Sequence, residues 1–157
     1  MFNGKDISIA ISLNNLALLY QKKKDYSNFL KYSLEALELK KELHNGNDHI
    51  DVANSLANVS SAYQELKDFK KSLDYALESL SMREKLLKSH PNTFVSLFLV
   101  GIAYKHLEDT KNAVFYLEKA STMKTDLCKR HDMSKIDMYL NDVNIDEELK
   151  EARNLIK

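Results

Sequence analysis

The chain has 157 residues, a length that suits one domain, with 44% hydrophobic and 29% charged residues and a net charge of zero from 23 basic and 23 acidic side chains. Neutrality excludes a surface built to track a phosphate backbone or an anionic membrane, so neither nucleic acid nor membrane is an expected partner. Three Gly and one Pro leave little turn material for a many-stranded β fold, and one Cys excludes an internal disulfide, which points to a reducing compartment.

In chain order, the apolar periodicity predicts helices over 6–22, 25–44, 49–66, 69–88, 91–107 and 110–130. Asp25, Asp68 and Asp109 each stand where a helix N-cap is needed. Asn45-Gly46-Asn47-Asp48 reads as a C-cap Gly followed by an N-cap Asp, and Pro91 suits a first helical turn. Short turns within each pair force the two helices antiparallel. After residue 130, Ile136, Tyr139, Leu140 and Val143 form one apolar stripe, and Leu149, Ala152 and Ile156 continue it. Between them, Asn144 to Glu147 has capping-box spacing. These predict one or two short helices that cover the end of the array.

The pairs repeat. Leu13/Leu16/Ala17/Tyr20, Leu56/Val59/Ser60/Tyr63 and Leu97/Val100/Gly101/Tyr104 share one pattern, with Tyr seven residues after the first apolar position. Counting from each Tyr, an aromatic or Thr stands six on (Tyr26, Phe69, Thr110) and Tyr twelve on (Tyr32, Tyr75, Tyr116). A small residue stands sixteen on (Ala36, Ser79, Ala120) and a cation twenty on (Lys40, Arg83, Lys124). This is the signature of a tetratricopeptide repeat, with Leu where Trp often stands. Tyr20 and Tyr63 are 43 residues apart and Tyr63 and Tyr104 are 41 apart, against the usual ~34. That longer period, with Ser12 to Tyr20 and the lead-in His49-Ile50-Asp51-Val52-Ala53, resembles the kinesin-light-chain type of repeat.

The resemblance implies an all-α fold: a right-handed α-solenoid of three antiparallel helix pairs plus a C-terminal capping helix or helices. The repeats fall at about 6–47, 48–89 and 90–130, and the cap at 131–157, in one domain. A kinesin light chain would carry a heptad coiled coil before its repeats. This sequence starts almost at once with the first, as a short stand-alone protein or a piece of a longer one would.

The resemblance also implies a concave binding face lined by the first helix of each pair. Its groove positions are Ile11, Asn14, Asn15, Leu18 and Gln21; Asn54, Ala57, Asn58, Ser61 and Gln64; and Val95, Phe98, Leu99, Ile102 and Lys105. A carboxamide both donates and accepts, so Asn15 and Asn58 suit the backbone of an extended peptide, the role such residues have in kinesin-light-chain-like repeats. Leu18, Val95, Phe98, Leu99 and Ile102 would take apolar side chains, unless a cap or a second copy covers the third-repeat patch. The cations of a carboxylate clamp are absent from these positions.

The expected function is a non-enzymatic scaffold for a protein or peptide ligand. Self-assembly through the third-repeat surface, or a peptide-sensing module of a larger protein, is the alternative. No catalytic residue, metal or cofactor is expected. No phosphate loop, nucleophile elbow or HExxH motif occurs. His44, His49 and Asp48 share a loop that reads as a solvated turn, and Cys128 as a half-buried structural thiol. Residues 1–6 lack the apolar core of a signal peptide and no run approaches a membrane span, so the chain is expected to be cytoplasmic and its Asn58-Val59-Ser60 sequon unglycosylated.

Overall fold

The computed structural model describes residues 4–87, 91–130 and 144–156. Within them run α1 (Gly4–Lys22), α2 (Tyr26–Leu43), α3 (Ile50–Glu65), α4 (Phe69–Leu87), α5 (Pro91–His106), α6 (Thr110–Arg130) and α7 (Ile145–Asn154). They pack as α1 with α2, α3 with α4 and α5 with α6, each pair then stacking on the next. The stripe at 136–143 and the residues His90 and His131 lie outside the described residues. No described helix is long and apolar enough to cross a membrane.

The turn inside each pair is the same device used three times. Two residues past the end of each first helix the backbone is left-handed: Lys24 (φ 58°), Lys67 (φ 62°) and Glu108 (φ 62°). The next amide then closes back on the Tyr carbonyl: Asp25 N–H to Tyr20 O (3.0 Å), Asp68 N–H to Tyr63 O (2.9 Å) and Asp109 N–H to Tyr104 O (3.0 Å). Each Asp carboxylate accepts an N–H from the first turn of the second helix, from Asn28, Lys71 and Asn112 respectively.

The Tyr pairs twelve residues apart are stacked rings with centroids 5.4, 5.6 and 5.6 Å apart, for Tyr20–Tyr32, Tyr63–Tyr75 and Tyr104–Tyr116. They are half-buried, so they zip the flank of each pair rather than fill its centre. At the position three before each Tyr (Ala17, Ser60, Gly101) the helices approach closely. Ser60 Oγ donates to the Ser72 carbonyl (2.9 Å), and a Cβ on Gly101 would stand 2.7 Å from Leu117 Cγ.

Between repeats the contact is apolar with a polar stitch. Val52, Leu56 and Val59 of α3 pack with Leu37 of α2, and Phe94, Leu97 and Val100 of α5 with Ala76 and Leu80 of α4. The cation of each preceding pair meets a Ser of the next first helix: Lys40 Nζ donates to Ser55 Oγ (2.9 Å) and Arg83 NH1 to Ser96 Oγ (2.7 Å). Arg83 also donates to the Asn92 carbonyl and to Asn54 Oδ1 (2.9 Å). Burial lowers both cations, Arg83 to about 10; Asp51 partly offsets the effect at Lys40.

Two expectations change. The N-cap of α3 is His49, whose Nδ1 accepts the Asp51 N–H (3.2 Å); Asp48 instead pairs with Lys85 (3.0 Å). The last apolar stripe is Ile145, Leu149 and Ala152, all buried, whereas Ile156 lies beyond the end of α7 and is exposed. Asn144 caps α7 as expected, accepting from Glu147 N–H (3.3 Å). Ile145 and Leu149 enter the cluster that holds Leu99, Ile102 and Leu117, each contributing about 2 kcal/mol by burial. Lys105 of α5 fastens the far side of α7 through Glu148 and Glu151.

Candidate functional site

The first helices form one layer of the stack, linked by contact between α3 and α5 and by a hydrogen bond between α1 and α3. The second helices α4 and α6 meet at the periphery through the Glu84–Lys119 pair (3.9 Å).

On that layer the predicted polar positions come together. Asn58 Nδ2 donates to Asn14 Oδ1 across α1 and α3 (2.7 Å), leaving Asn15 exposed beside them and Ser61 half-exposed one turn on. Asn54, one turn earlier, is drawn into the repeat junction, where its Oδ1 accepts from Arg83 and, at 3.5 Å, from Asn92. Leu18 is exposed, and Ala57 is buried in the third-repeat cluster and offers nothing to the groove.

The third repeat differs. Leu99 and Ile102 are only 6% and 4% exposed, members of the cluster that includes α7, and Val95 and Phe98 pack half-buried against it. An apolar side chain on the inner face is a ligand contact only while nothing in the chain has claimed it. Among the predicted groove positions the most exposed apolar one is Ile11 of α1, which like Ile7 one turn earlier is more than half exposed. They line a cavity of about 230 Å³ with Ala10, Lys40, Leu43, His44 and Asp51. Of these residues only Ile11 is a groove position by sequence register. The signal for the cavity was the run of Ile at 7, 9 and 11, more apolar than one buried face requires.

At the rim of this cavity His44 and His49 stack with centroids 3.5 Å apart. The Asp51 carboxylate lies 3.8 Å from His44 Nε2 and 3.5 Å from His49 Nδ1. It is Asp51, not Asp48, that joins the two His. Burial and the adjacent His49 hold His44 below its ordinary value, with Asp51 opposing. The three side chains could offer a metal three ligand atoms within 4.8 Å, but His49 Nδ1 is already engaged as the cap of α3. Cys128 is half-buried near the end of α6.

Sequence models of the family described as tetratricopeptide repeat match residues 8–85 and 95–126. The chain is a tetratricopeptide repeat protein. No curated protein matches it by sequence. Among solved structures, this tetratricopeptide repeat protein is similar to BtubC (BKLC) from P. vanneervenii, with a TM-score of 0.70 at 18% identity, over 94% of this chain and 60% of that one. It is similar to a putative kinesin light chain with nearly identical TPR-like repeats from Podosopora anserina, with a TM-score of 0.67 at 18% identity, over 92% and 70%. A tpr-like protein from Chlorobium tepidum gives a TM-score of 0.73 at 13% identity, over 94% and 96%. At such identities the likeness is one of fold. The chain spans 60% of the length of BtubC. Repeats of this family are in general protein–protein interaction scaffolds, built to present a surface rather than a reaction centre.

Proposed function

We propose that the protein is a non-enzymatic scaffold that holds an extended peptide segment on the inner face of its first two repeats. The observation that carries this is the carboxamide row: Asn15 exposed and Asn58 half-exposed on neighbouring inner helices, flanked by exposed Ile11 and Leu18. Carboxamides at repeat spacing satisfy backbone N–H and C=O groups without selecting side chains. The cavity under Ile7 and Ile11 takes one apolar side chain of the segment and supplies the selectivity. Ser61 and Asn14 complete the row, and Val95 and Phe98 border its far end.

Display selection of ten-residue peptides, followed by fluorescence anisotropy on wild type and on Asn15→Ala/Asn58→Ala, tests it. Two lost backbone hydrogen bonds at about 0.5–1.5 kcal/mol each weaken binding roughly 5- to 150-fold. Peptides that bind the double variant as tightly as wild type would remove the inner face from the account.

A further inference from the structure

Helix α1 has a second surface, separate from the groove, that the repeat register makes legible. Equivalent positions are buried wherever a repeat precedes them. Val52 and Thr93 are 2% and 0% exposed, yet their equivalent Ile9 is 50% exposed. Ala62 and Ala103 are fully buried, yet their equivalent Leu19 is 56% exposed. Leu13 and Leu16 lie between them and line a depression of about 270 Å³ with Ser8, Ile9 and Ser12.

The polar stitch is left half made in the same register. Ser55 and Ser96 each accept from the cation of the preceding second helix. Ser12, their equivalent, is exposed and turns its hydroxyl back onto the Ser8 carbonyl of its own helix (2.8 Å). The outer ion pairs follow the same rule. Position twenty-one of one repeat meets position fifteen of the next, counted from each Tyr, as Lys41–Glu78 (3.0 Å) and Glu84–Lys119 (3.9 Å). Glu35 is the position-fifteen residue of the first repeat, exposed and acidic.

We propose that this face of α1 is a docking surface for the second helix of a further tetratricopeptide-type helix pair carrying two adjacent basic residues where Lys40 and Lys41 stand here. One cation reaches Ser12 and the next reaches Glu35, while an apolar seam like that of Ala36 and Leu37 covers Ile9, Leu13 and Leu16. The occupant is small opposite Leu19: the later repeats place Ala62 and Ala103 at that position, and Phe29 packs on Ala62, so the larger Leu19 requires a smaller neighbour. Two copies of this face meeting each other would provide no cation for Ser12, since Ile9, Ser12, Leu13, Leu16 and Leu19 include none.

The test extends the full chain by inserting a copy of residues 5–47 ahead of Lys5, which keeps the 43-residue step; the copy carries Phe29→Ser, the residue type at the equivalent Ser72, so that it is small opposite Leu19. The copied Lys40 and Lys41 then fall against Ser12 and Glu35. Nearest-neighbour coupling in repeat arrays predicts that amide exchange of the original α1 slows by about tenfold or more. Ile9→Glu in the original first repeat abolishes that gain while leaving the unextended chain as stable as before, because Ile9 is exposed there. A second extended chain, made with a copy of residues 48–90, sets Glu84 against Glu35 and gains less. Exchange of α1 unchanged in both extensions, or a gain insensitive to Ile9→Glu, overturns the proposal. So does a concentration-dependent dimer of the unextended chain that Ile9→Glu dissolves, which would give the face to a second copy.

Discussion

Replacing Arg83 by Met separates the two opposing contributions at the second repeat junction. Arg83 is 3% exposed and donates to the Asn92 carbonyl, Ser96 Oγ and Asn54 Oδ1, all uncharged acceptors. Burial pulls its pKa down to about 10, against an ordinary ~12.5, which at ~1.4 kcal/mol per pH unit is a cost of roughly 3 kcal/mol for keeping the charge inside. Hydrogen bonds from a charged donor contribute about 1.5–3 kcal/mol each, so three of them exceed that cost. Met fills the channel of the stem but silences all three, and the Asn92 carbonyl loses a strong partner; Ser96 keeps Ser79 at 2.8 Å. The expected loss is about 2–4 kcal/mol, read as a lowered urea midpoint at unchanged slope. Arg83→Lys retains roughly half, because Lys40 makes the equivalent bond to Ser55 with a single nitrogen. Arg83→Met within ~0.5 kcal/mol of wild type would refute the reasoning: the junction would then be held by apolar contact alone.

Gly101→Ala forces Leu117 aside and is expected to cost about 1–3 kcal/mol in urea unfolding; an unchanged midpoint would mean that Leu117 yields freely. Lys67→Gly and Glu108→Gly relieve left-handed backbones at φ 62° and are each expected to add about 0.5–1 kcal/mol, seen as a raised thermal midpoint; a lowered midpoint would show that the side chains contribute more than the strain removes. The attachment of α7 is expected to depend on pH. Hydrogen bonding to Lys105 lowers the Glu151 pKa, so its contribution is present above the unfolded value and is lost as pH falls through the lowered folded one. Burial alone would lower Lys105, but Glu148 and Glu151 outweigh it and raise its pKa, so its contribution is lost as pH rises through that raised value. The thermal advantage of wild type over Lys105→Met is therefore expected at pH 7 and absent near pH 3; an advantage equal at both would assign the effect to packing.

The repeat was legible because each junction imposes the same sterics on the same positions. Tyr recurs where rings stack, Asp where a helix starts, and a small residue where backbones approach, so counting from Tyr20, Tyr63 and Tyr104 recovered six helices and their pairing. What could not be counted was context at the ends. Leu99 and Ile102 hold groove positions by register, but α7 and the core take them up, and nothing in their own spacing distinguishes them from Leu18. His49 replaced Asp48 as the cap of α3 because Nδ1 of a His in extended backbone reaches the same amide, a role propensity assigns weakly to His. The Lys40–Ser55 and Arg83–Ser96 stitches were present in the sequence as aligned columns, Ser12/Ser55/Ser96 and Lys40/Arg83/Lys124. Only the packing of one repeat on the next shows that the two columns touch.

The proposed ligand site is the inner face of the first two repeats. Amide chemical-shift mapping of the labelled protein, titrated with a selected peptide, tests it most directly. Ligand on that face gives the largest shifts at Ile11, Asn15 and Leu18 of α1 and at Asn58 and Ser61 of α3, with little change along α4 and α6. Shifts centred on the outer helices α4 and α6, with α1 and α3 silent, would contradict it.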